Sequence, residues 1–143
     1  MSWLDLVTNS HGLRQIFHGQ APALDGVDLH EISVGREGPT LRIRFDLRAF
    51  PADPPVKWRR SGFNAVQVEL LFGGVSALSL QGVSVNMVAD VHIEHDGKVS
   101  LLITSPAVRV TASADSVTIA RIEGYIDGGR AAPAAETAQG SAR

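Results

Sequence analysis

Residues 41–48 read LRIRFDLR. Leu41, Ile43, Phe45 and Leu47 alternate with Arg42, Arg44, Asp46 and Arg48, the period expected of a strand with one face in the core and one in water. A second alternating set follows at Val66, Val68, Leu70 and Phe72, with Leu71 adding an apolar residue on the opposite face. Further strands are expected at 28–34, 76–81, 83–94, 98–104, 107–112 and 116–126. Seven or eight short strands with Gly-bearing turns between them predict a mainly β (α+β) domain, an antiparallel sheet folded as a sandwich or a strongly curved sheet. Gly73 and Gly74 read as a bulge or turn between two of the strands.

One hairpin can be read by parity. A two-residue Asp96-Gly97 loop would split Val91 and Ile93 from Val99, Leu101 and Ile103. A three-residue loop of His95, Asp96 and Gly97 puts all five on one face and pairs Glu94 with Lys98. It also requires Gly97 at positive φ, as the bulge residue.

Only the first eighteen residues carry a helical spacing, at Trp3, Leu4 and Val7 and then Leu13, Ile16 and Phe17. Two short helices or one broken helix should precede residue 20, with Asn9 or Ser10 as an N-cap and Gly19 as the stop. At the other end the last large apolar side chain is Ile126. The following residues cannot offset the entropy of ordering by burial, so 1–127 should form one domain and 128–143 a flexible Ala/Gly-rich tail.

The chain has 143 residues, 44% of them hydrophobic and 20% charged, with a net charge of -2. These values describe one folded domain and lack the basic balance of a general nucleic-acid binder. It has no cysteine, which excludes disulfides, thiol catalysis and thiolate zinc sites. The N-terminus carries no signal-like leader and no apolar run is long enough to span a bilayer, so a cytoplasmic protein is expected.

No catalytic constellation is legible. His92 and His95 flank Glu94, but residues three apart on a strand face opposite ways and cannot share an ion. His11 and His18 lie on a stretch broken by Asn9 and Gly12. His30 alternates with Ile32 and Val34, as a hydrogen-bonded or rim histidine would. No serine sits in a nucleophile elbow and no Gly-rich loop leads into a helix to hold phosphate. The reading is of no catalytic residue, no metal site and no cofactor.

Charge is uneven along the chain. Residues 36–60 hold seven cations (Arg36, Arg42, Arg44, Arg48, Lys57, Arg59, Arg60) against three acids (Glu37, Asp46, Asp53), leaving the remainder acidic. Within this region the segment FPADPPVKWRRSGFN, residues 50–64, is the most distinctive. Its three prolines predict an extended crossing over the outside of the sheet, tied down by Trp58 and Phe63. Trp58 beside Lys57, Arg59 and Arg60 has the composition of a core anchor or of an interface hot spot.

The N-terminal Trp3, the run PALDGVDLHEISVGREGPTLRIRFDL, and FPADPPVKWRRSGFNAVQVEL with the Val-rich strands after it resemble the immunity protein 50 family of bacterial polymorphic toxin systems. The likeness runs from about Trp3 to Tyr125 and is most specific from Phe50 to Leu70, in the P-x-x-P-P-x-K-W run and the Phe63, Asn64, Val66 and Val68 that follow. The Glu37-Gly38-Pro39 turn also fits, whereas the Ala-rich tail departs from it. The resemblance implies a non-enzymatic bacterial protein that binds and neutralises a cognate toxin domain; the charge balance and the lack of a long apolar run argue for no nucleic-acid and no membrane partner. Candidate partner-binding residues are Arg42, Arg44, Arg48, Trp58, Arg59 and Arg60. A small ligand- or carbohydrate-binding β-sandwich is the alternative, and it predicts aromatics lining a groove. An enzyme with a cryptic site is a third reading, and it predicts a pocket where His30 or another histidine meets carboxylates.

Overall fold

The alternating stretch at 41–48 lies in the middle of an eight-stranded antiparallel sheet. A computed structural model describes residues 2–130. In chain order the strands are β1 (Val27–Gly35), β2 (Thr40–Asp46), β3 (Ala65–Gly73), β4 (Ala77–Gln81), β5 (Val88–Asp96), β6 (Lys98–Thr104), β7 (Arg109–Ala114) and β8 (Ser116–Tyr125). Across the sheet they run β4, β7, β6, β5, β1, β2, β3, β8. Leu41, Ile43 and Phe45 of β2 lie opposite Phe72, Leu70 and Val68 of β3, and all six are buried.

The sheet narrows at its middle, where β1 meets β5 only through Val27 with Ala89 and Asp28 with Val88. The halves on either side turn their apolar faces toward each other. Phe45 and Phe72 from one half share a single core with Ile103 and Val110 from the other, each such side chain contributing about 1.5–3 kcal/mol on burial. β6 and β8, with four strands between them in the sheet order, consequently approach one another. The expected curved antiparallel sheet is the one observed.

As the N-terminal spacing predicted, two short elements precede residue 20: a 3-10 turn (Trp3–Leu6) and α1 (His11–Ile16). They bury Leu4 and Leu13, and the Trp3 indole N–H donates to the Pro22 carbonyl at 2.9 Å. Between them Thr8 donates its backbone N–H to Val117 and accepts from Ile119, which covers the free edge of β8. Residues 77–81 of β4, at the other edge, are all exposed.

Three details differ from expectation. The strand expected at 83–94 starts at Val88, because Ser84 Oγ and Asn86 Oδ1 take the backbone N–H groups of Asn86 and Val88 and offer the chain a turn instead of a ladder. The β5–β6 hairpin keeps Val91 and Ile93 on one face with Val99, Leu101 and Ile103, and Gly97 has φ 75°, but Lys98 pairs with Asp96 rather than with Glu94. A displacement of two residues leaves every side chain on its own face. Finally, the proline segment ends in a helix, α2 (Val56–Ser61), bounded by Pro55 and a left-handed Gly62. The segment does not cross the outer face: Trp58 and Phe63 pack over Gly124, which pairs with Val66 on the core-facing side.

The domain boundary expected after residue 127 falls in a turn held by Asn64, whose amide donates to the carbonyls of Asp127 (3.0 Å) and Arg130 (3.1 Å). The rest of the expected tail, 131–143, lies outside the described residues.

Candidate functional site

The outward face of the β1-β2-β3-β8 half carries the arginines that alternate with the core residues of β2. Arg42 pairs with Glu69 of β3, and Arg44 with Glu31 of β1 at 2.8 Å. β2 ends at Asp46, so Arg48 leaves the row and meets Asp25 at 3.3 Å. The cationic stripe of the sequence is therefore a mixed ladder in the fold, its acids supplied by neighbouring strands and loops. Surface pairs of this kind stabilise weakly, and they also cancel the long-range field an anionic partner would sense.

Trp58, Arg59 and Arg60 form a second group on α2, away from that row. Trp58 is half-buried between Phe50 and Phe63, with ring centroids 6.1 and 6.4 Å away. A Cβ built on Gly124 would come within 2.7 Å of the Trp58 ring, so the indole lies directly on the β8 backbone. Arg59 pairs with Asp53 at 2.7 Å, whereas Lys57 and Arg60 are exposed and have no ion pair among the described residues. Beside them, between α1 and residues 53–56, runs an open groove of about 500 Å³. The six candidate residues are thus split between two surfaces.

The sequence pattern missed a polar cluster centred on Asp46. Its position in the alternation places it on the wet face, yet it is only 1% exposed. A β-bulge leaves His30 unpaired between Leu29 and Glu31 and turns it toward Asp46. Asp46 Oδ2 accepts from His30 Nε2 at 3.0 Å and from the Tyr125 hydroxyl, and Oδ1 accepts from the Gln67 amide at 3.1 Å. Burial and the adjacent carboxylate raise the Tyr125 phenol well above its ordinary value.

Asp28, His30 and Asp46 stand close enough to share a cation. His30 Nε2, however, must donate if it is to bond a carboxylate, and a donating nitrogen has no lone pair for a metal. The carboxylate accepts from three donors, and the arrangement pins four strands together. His30 does meet carboxylates, as a cryptic enzyme would require; the groove of about 280 Å³ that touches it is lined by Glu31, which is paired with Arg44, and not by Asp46.

A concavity of about 610 Å³ lies on the outer face of the β5-β6-β7-β4 half among Ser79, Ser100, Thr111 and Ser113. None of the eight aromatic residues lines it. No helix among the described residues is long and apolar enough to cross a membrane.

Fold and surface together define a curved antiparallel β domain with ion-paired outer strands and one cationic helix. The immunity protein 50 family matches residues 9–125, and the chain belongs to that family. No curated protein and no solved structure matches it.

Proposed function

We propose that this protein confers immunity to a bacterial polymorphic toxin by binding its cognate toxin domain in a stoichiometric complex, in the cytoplasm of the cell that makes the toxin and without catalysing a reaction. The family match across residues 9–125 carries this reading. The hydrogen bonding of Asp46 is consistent with a structural role for this cluster, since its three donors come from three other strands and hold them to β2.

The partner-binding surface is proposed on α2, at Trp58, Arg59 and Arg60; Arg42, Arg44 and Arg48 form a second, separate candidate surface whose cations are ion-paired. A half-buried Trp flanked by exposed Arg is the kind of anchor that contributes most at protein interfaces. The carbohydrate-binding alternative calls for exposed aromatics along a groove; the concavity of about 610 Å³ has none, and Trp3, which lines another of about 420 Å³, has its indole N–H engaged by Pro22.

The test is co-expression with the toxin encoded beside this gene. Restored growth and co-purification of a one-to-one complex with the toxin's C-terminal domain are expected. Continued killing, with both proteins soluble and no complex, refutes the reading.

A further inference from the structure

The sequence VKWRRS of α2 holds three cations and no acid. Asp53 is already engaged by Arg59 at 2.7 Å and by His18 at 3.5 Å. Lys57 and Arg60 are three residues apart and so share one helical face, exposed and without an ion pair among the described residues. The contrast with β2 is sharp, since both Arg42 and Arg44 have acids from adjacent strands. Among the described residues α2 therefore presents two neighbouring cations without an ion pair, where Arg42 and Arg44 of β2 are both paired.

The neighbouring groove gives this charge an apolar companion. Gly12, Ile16, Pro55 and Val56 form its apolar part, Val56 being 60% exposed, while Gln15, His18 and Asp53 also line it, the Asp53 carboxylate engaged by Arg59. Two prolines and the Trp58 anchor hold its wall in place, so little ordering entropy opposes docking there.

We propose that this surface receives an acidic segment of the toxin, with an apolar side chain in the groove beside α1 and carboxylates on Lys57 and Arg60. The inference rests on the immunity reading and adds the chemistry of the partner. Positive charge complements negative charge, so the contacted part of the toxin is not a basic, nucleic-acid-binding cleft.

Titration calorimetry of the full chain with an inactivated form of the adjacent toxin's C-terminal domain tests it. Lys57→Glu with Arg60→Glu should weaken binding about a hundredfold without moving the melting temperature. Lys57→Gln with Arg60→Gln should fall between the two. Reversal of Arg36 and Arg109, exposed cations also without an ion pair among the described residues, changes net charge equally and should shift affinity by less than about threefold. Added salt should weaken the wild-type complex and have little effect on the double reversal.

Equal affinities for the α2 reversal and the control would overturn the proposal while leaving the immunity function intact, as would tighter binding by the reversal. Salt-sensitive binding of a DNA duplex through Lys57 and Arg60 would also overturn it. A wild-type protein that does not bind the toxin refutes the immunity reading, and this proposal with it.

Discussion

Asp46 shows how much one side chain depends on its neighbours. Flanked in sequence by Phe45 and Leu47 and in phase with Arg42 and Arg44, it would be a solvated strand carboxylate if β2 stood alone. His30, Gln67 and Tyr125 close over it from three other strands, and both carboxylate oxygens accept a hydrogen bond in place of water. Tyr125 is the chain's only tyrosine, so its ionisation can be read directly from phenolate absorbance. Because the folded phenol titrates above the ordinary value of about 10, its contribution to stability is complete below pH 10 and is lost as pH rises through the folded value. Native protein should show no phenolate at pH 10, and unfolded protein should be about half ionised there. Asp46→Asn should lower the native titration toward the ordinary value and cost about 1–3 kcal/mol in denaturant melts, since an amide cannot accept from three donors as the carboxylate does. A native phenol that titrates normally would mean that Tyr125 does not engage Asp46.

At the level of elements, the β5–β6 hairpin and α2 mark where periodicity stops informing. The apolar set in 91–103 excludes registers that reverse a face, but registers two residues apart present identical faces. The turn at Gly97 chose between them. α2 has six residues, too few for a helical period to stand out, and its readable signals were Pro55 before it and Gly62 after it. Its attachment to the sheet is through one aromatic stack, so Trp58→Ala should cost about 2–4 kcal/mol through the cavity left between Phe50 and Phe63. Gly124→Ala should cost about 1–3 kcal/mol by driving a methyl group into the same indole. Chemical denaturation measures both. Trp58→Ala with wild-type stability and lost toxin binding would instead make the indole an interface residue.

Across the whole molecule, charge is the property that folding rearranged most. Three of the cations clustered between residues 36 and 60, Arg42, Arg44 and Arg48, meet acids brought from elsewhere in the chain: Glu69 is 27 residues from Arg42, and Asp25 is 23 from Arg48. Reversing Arg42 and Arg44 to Glu should therefore act chiefly on stability, by about 0.5–1 kcal/mol each through like charges set beside Glu69 and Glu31. Calorimetry with the toxin domain should show a smaller loss of affinity for that pair than for Lys57 and Arg60. The opposite ranking would move the interface to the β2 face. The sequence by itself determined the mainly β class, the faces of β2, β3 and the β5–β6 hairpin that enter the core, and the short N-terminal helices, because side-chain alternation is a local property of the backbone. Only the tertiary structure decided the strand order, the exact hairpin register, the burial of Asp46 and the cations left without an ion pair. Each of these depends on which distant segments become neighbours, and a period-two pattern specifies a face without naming what lies across from it.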